Sequence, residues 1–304
     1  MTTAVAENGL HPFQIIRKRR FWASLSMAAL VAMLGLVMAV CSSCQSVPDD
    51  VVENRTPDNE DERQQFARLV KEADDLYAAQ PRNEKRVRQS AAKFDEAVRI
   101  SSVDQDMLWK GARANCWLAQ YVTDKAERAA FAKTGISYAQ TLLKLKTDST
   151  EGLFYLAILS GLLADADRSY GLSAVNLMDE SLRKIIDAGR DIEHGGAHRV
   201  LGTLLSDPEL PGPPTSIGSL RNGKKELEAA VEKAPEWPEN HLYLAKAEFR
   251  WASPEERNKP AIAQQARDRL NKYLLGPDCK APAGYEFEFA QWQIKAREML
   301  ATNP

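Results

Sequence analysis

Histidine and cysteine are scarce, with four of each in 304 residues. The sequence has no H-E-x-x-H, no P-loop, no G-x-G-x-x-G fingerprint and no G-x-S-x-G elbow, so the usual carriers of metalloprotease, nucleotide and acyl-transfer chemistry are missing. The expectation is a protein that is not an enzyme and holds no cofactor. A net charge of −2 and a pI near 6.2 give no pull toward polyanions, and no basic stripe is interleaved with aromatics. Nucleic acid is therefore not an expected partner. Runs of valine, isoleucine and threonine are rare, while alanine, leucine, glutamate, lysine and arginine dominate. That balance favours helix over sheet.

The N-terminus differs from the rest. Arg17, Lys18, Arg19 and Arg20 precede an uncharged run from Phe21 to Val40, the layout of a secretory signal. "VCSSCQS" follows, and a cysteine after small residues resembles a bacterial lipobox. Cys44, behind Ser42 and Ser43, fits better than Cys41, which follows the larger Val40. Residues 1–43 read as a signal peptide and Cys44 as the lipidation site. An uncleaved anchor is the other reading, since about 20 apolar residues cross a bilayer. Residues 44–60 are acidic and carry two prolines, Pro48 and Pro57, which makes them a flexible linker. On this reading the protein is lipid-anchored in the cell envelope, at the outer membrane and facing the periplasm, with the membrane as one partner.

Residues 61–304 read as helix after helix. "AKFDEAVRI", "ISYAQTLLKL", "LMDESLRKII", "GKKELEAAVEKAP" and "ARDRLNKYLL" share one apolar pattern, and Ala97, Leu142, Ile185, Ala230 and Tyr273 mark it every 43 to 45 residues. Gly223, Leu227, Ala230 and Pro235 fall on signature positions of a tetratricopeptide second helix. His198, Leu201 and Gly202 of "HRVLG" supply the matching first helix. The predicted fold is all-α: a tetratricopeptide-like α-solenoid of five helical hairpins, with a final capping helix near Tyr285–Leu300. In the fourth hairpin "SDPELPGPPTSIGS" (206–219) interrupts the helices with four prolines, which cannot sit in a helix interior. The phase is kept across it, so a stiff loop at the groove mouth is expected. In the fifth, Ser253-Pro254-Glu255-Glu256 resembles a helix start.

His194 and His198 are four apart, the spacing with which one helix presents two metal ligands, but no acidic or cysteine partner follows at ligand spacing. Packing is the favoured reading for His198 and His241, and no metal is expected. Cys116 falls on an inward position and reads as a buried thiol, without a bond to the distant Cys279. The functional signal is the inner face of the first helices. Their register brings Lys110, Trp117, Tyr155, Arg199, Thr203, Ser206, Lys246 and Phe249 to one groove, basic and aromatic, suited to a carboxylate ligand with an apolar body or to an acidic peptide. Simple packing of an inner wall is the alternative.

With "EGLFYLAILSG", "HRVLG", the proline loop and "GKKELEAAVEKAP" following a lipid cysteine, the chain resembles the T component of tetratricopeptide-associated TRAP transporters. The resemblance implies a periplasmic lipoprotein that forms trimers and joins a substrate-binding protein in uptake of a hydrophobic organic acid. A scaffold for envelope machinery (outer-membrane assembly, pilus or secretion) with a peptide partner is the second reading.

Overall fold

The computed structural model describes residues 45–49, 52–208, 219–253 and 259–303. The stretch read as a signal peptide (1–43), the cysteine read as a lipidation site (Cys44), most of the proline loop (209–218) and the turn at Pro254 lie outside the described residues. Eleven α-helices are seen and, among the described residues, no strand. They are α1 (Glu60–Ala78), α2 (Glu84–Val98), α3 (Gln105–Tyr121), α4 (Lys125–Leu145), α5 (Thr150–Ala166), α6 (Gly171–Asp187), α7 (Gly196–Leu205), α8 (Leu220–Lys233), α9 (Pro238–Ala252), α10 (Pro260–Leu270) and α11 (Glu286–Thr302). Consecutive helices pair as α1/α2, α3/α4, α5/α6, α7/α8 and α9/α10, each second helix also packs on the next first helix, and α11 leans on α9. The all-α solenoid expected from the sequence is therefore what the chain forms.

Local chemistry sets the helix ends. Asn59, Asn83, Asp104, Asp124, Ser149 and Ser219 each accept a hydrogen bond from an N–H in the first turn that follows, satisfying a donor with no helical partner. Pro238 and Pro260 begin α9 and α10, where a missing N–H costs nothing. The repeat markers Ala97, Leu142, Ile185 and Ala230 are fully or almost fully buried near the ends of second helices. The fifth, Tyr273, sits in a five-residue π-turn (Asn271–Leu275) and stacks on His241. Helix α5 is apolar nearly all round, as a helix covered on several sides must be. Leu153, Phe154, Leu156, Leu159 and Leu163 bury there against its neighbours.

Hairpin four confirms the reading of its glycines. A Cβ on Gly202 would lie 2.8 Å from the Gly223 carbonyl, and one on Gly223 would lie 2.7 Å from the Gly202 carbonyl. Only glycines let α7 and α8 touch backbone to backbone. The Ser219 N–H donates to the Leu205 carbonyl at 2.8 Å and closes the base of the proline loop, so both flanks stay within one hairpin.

The acidic stretch expected to be a flexible tether is, over its described residues, an extended arm along the repeats. The Gln45 N–H donates to Ser169 O, Val47 N–H to Ser173 Oγ, Val52 N–H to Thr141 Oγ1 and Arg55 N–H to Ser102 Oγ. One backbone carbonyl and three serine or threonine hydroxyls supply the acceptors, while Val47 and Val52 pack on the core. Composition predicted solvation there because it is blind to such backbone partners.

Candidate functional site

The inner face of the array holds a clasp between the first hairpins and the segment that opens α11. Arg82, in the turn between α1 and α2, is its centre. Its Nε donates to Tyr77 O at 3.2 Å and its Nη2 to Gly284 O at 3.1 Å, while Nη1 donates to Glu288 Oε1. Trp117 of α3 donates its indole N–H to the same Glu288 oxygen at 2.8 Å. Gln80 donates to Gly284 O at 3.0 Å. Phe287 sits 5.1 Å, centroid to centroid, from both Trp117 and Tyr121, tilted on the first and edge-on to the second. Such offset geometries are the favourable ones for aromatic pairs. Arg113 lies over the rings of Tyr77 and Trp109, at 4.2 and 4.8 Å.

A second carboxylate anchors the same segment. Glu193, in the loop between α6 and α7, accepts hydrogen bonds from Tyr155 Oη at 3.1 Å and from Tyr285 Oη at 3.0 Å. Burial and the Glu193 charge both hold these phenols in the protonated, donating form, Tyr155 most strongly. Three successive residues, Glu193, His194 and Gly195, have φ of +48°, +58° and +79°. Two of them are not glycine, so the loop carries strain that its surroundings must hold. Arg199 does so: its Nη1 donates to the carbonyls of Glu193 and His194 and to Asn240 Oδ1, and its Nη2 pairs with Glu239 at 3.1 Å. Burial works against the Arg82 charge, yet Tyr77 and Glu288 outweigh it and raise its pKa.

The expected groove residues divide into distinct settings. Trp117 and Tyr155 enter the clasp. Arg199 is buried at the junction of hairpins four and five. Lys110 is tied to Asp74 and Asp106, and Thr203 and Ser206 return their hydroxyls to carbonyls of their own helix. Phe249 is buried with Trp237, Leu242 and Leu270, whereas Lys246 is exposed. The residues that sequence reasoning missed are Arg82, Glu193, Tyr285, Phe287 and Glu288. All five lie outside helices or in a first turn, where a repeat register has no reach. "GYEFEF" does carry a signal, alternating aromatics and acids at the entrance to the capping helix.

The histidines pack. His198 Nδ1 meets Glu226 at 2.8 Å across hairpin four. His241 lies between Pro235 O and Arg269 and stacks on Tyr273, and burial pushes its imidazole down to about 4. His194 precedes α7 and stacks on Trp237, so the two histidines four apart do not share a helix. Among the described residues no cluster of histidine, cysteine and carboxylate side chains could hold a metal, and no helix is long and apolar enough to cross a membrane.

Residues 69–169, from within α1 to the 3₁₀ turn after α5, match a family described as RMD1-3, Regulator of microtubule dynamics protein 1-3. The match takes in the second half of α1 and all of α2 to α5, about a third of the chain. No curated protein matches the chain. The family match corrects the resemblance to the TRAP T component, and with it the reading as a lipoprotein for solute uptake or an envelope scaffold. Of the motifs that carried that resemblance, "EGLFYLAILSG" lies inside the matched stretch, while "HRVLG" and "GKKELEAAVEKAP" lie outside it. What they specify is hairpin packing, which unrelated repeat proteins share.

Proposed function

We propose that this chain is a non-enzymatic helical-repeat regulator that acts by binding another protein. The observation that carries this reading is the position of the family match. Residues 69–169 are the part of the array that contributes Tyr77, Arg82, Arg113, Trp117, Tyr121 and Tyr155 to the inner face, a surface that already receives a polypeptide segment. Arg82, Trp117 and Glu193 hold that segment through its carbonyl, carboxylate and phenol groups. That is recognition chemistry.

The name of the matched family makes a cytoskeletal polymer the first partner to try. Purified protein sedimented with polymerised tubulin should move to the pellet in a saturable way and change the polymer's growth or shrinkage rates. Protein that stays in the supernatant across the concentration range, with rates unaltered, rejects that partner.

A further inference from the structure

The four residues Tyr285–Glu288 sit on the inner face as a bound segment would. Each anchor is received by a different part of the array: Tyr285 by Glu193, Phe287 by Trp117 and Tyr121, and Glu288 by Arg82 and Trp117. The receiving side matches the segment group by group, with the Arg82 guanidinium against the Glu288 carboxylate and the Glu193 carboxylate against the Tyr285 hydroxyl. The fit is also incomplete. Glu288 Oε2 is buried without a hydrogen-bond partner, and so is Arg113 Nε, one orphan of each sign. Buried polar groups are nearly always paired, so an occupant that leaves both unspent is not the best one this surface can take.

Departure of the segment would cost the cap the contact of Tyr285 edge-on to Trp237 at 4.8 Å. The other face of α11, with Phe289, Trp292 and Ala296, is buried against α9 and α10. The irregular stretch from Gly276 to Gly284, ending at a glycine with φ +82°, joins it to the π-turn. Release of the segment would thus require only the first turn of α11 to peel, with its remainder docked.

We propose that this face is a docking site for an aromatic–acidic segment of a partner protein, and that the chain's own Tyr285–Glu288 is a resident occupant which the partner displaces. The proposal deepens the reading above by naming the chemistry of the segment bound, and rests on it only in taking the partner to be a protein.

The probe is a labelled peptide with the sequence of residues 282–290, titrated by fluorescence anisotropy into the full chain. Weakening the resident with Phe287→Ala and Glu288→Gln should tighten peptide binding by about tenfold or more, because the binding-competent fraction rises. Adding Arg82→Met and Trp117→Phe should abolish it. A weakened variant that keeps native helicity and a cooperative melt yet binds no peptide overturns the proposal. So does a concentration-dependent doubling of mass by light scattering, which would make a second copy the occupant. A measurement on the unaltered chain guards against variants that fail to fold: amides of residues 285–289 should exchange with deuterium well before those of α5. Exchange of both only on global unfolding overturns the proposal. Peptide binding without tubulin pelleting would reject the polymer and keep the docking site, and pelleting without peptide binding would do the reverse.

Discussion

Arg82 and Glu288 are 206 positions apart and form a buried ion pair, each only about a twelfth exposed or less. One comes from the first hairpin and the other from the last helix. Desolvating both charges is expensive, so the pair is not a large net source of stability, but breaking it strands a charge.

Arg82→Met should therefore cost about 3–5 kcal/mol in urea unfolding, the range for removing one partner of a buried pair. The double variant Arg82→Met/Glu288→Met should recover a good part of that loss, since no charge is left buried. A double variant as unstable as the sum of its two singles would show that the pair contributes through packing alone.

The glycines of hairpin four offer a sharp contrast. Gly202→Ala drives a methyl group against Gly223 O and Leu227, and should destabilise by about 1–3 kcal/mol as an overpacked contact does. Gly171→Ala meets nothing within 4 Å and lies in a helix, so it should be neutral or stabilise by up to about 1 kcal/mol. Thermal melts of the two variants check this directly.

His241 gives the fold a pH dependence. The Arg269 guanidinium donates to Nδ1, which therefore needs its lone pair, so Nε2 carries the proton that is donated to Pro235 O. The imidazole is neutral in the folded state, with its pKa lowered to about 4 chiefly by burial. Between that value and the ordinary histidine value near 6.5 the unfolded chain binds more protons, so stability falls as pH drops through this window and is fully present above it. The urea midpoint should decline from about pH 6.5 toward 4. Nitrogen NMR should show His241 still neutral at pH 5.

Cys116 and Cys279 should differ in reactivity. Burial raises the Cys116 thiol to about 12, so almost none is thiolate at neutral pH, whereas Cys279 is partly exposed. Alkylation of the folded protein, mapped by peptide mass, should label Cys279 and spare Cys116 until denaturant is added. Equal labelling would place Cys116 nearer the surface than its 7% exposure implies.

The hairpins were legible because their determinants are local. Gly202 and Gly223 had to face each other once "HRVLG" and "GKKELEAAVEKAP" were paired, and the apolar markers every 43 to 45 residues set the remaining phase. The clasp was not legible. Glu288 reads in sequence as an ordinary first-turn acid at a helix start, a favourable place for a carboxylate. Its burial against Arg82 joins residues 206 positions apart, and no single repeat encodes that. Trp117 and Tyr155 were placed on the inner face by register alone, but what meets them there comes from Tyr285–Glu288 and from a strained loop at Glu193. Family was hardest to read, because the residues that build a helical hairpin are indifferent to what the hairpin binds.

An open stack of repeats touches only its neighbours, so it frays from either end and unfolds piecemeal. Here the turn that follows α1 meets the first turn of α11 while the rest of that helix is buried on α9, so the two ends of the described stack are joined. Removing the last helix would thus be felt first at the opposite end of the chain, and the whole array should melt in one step.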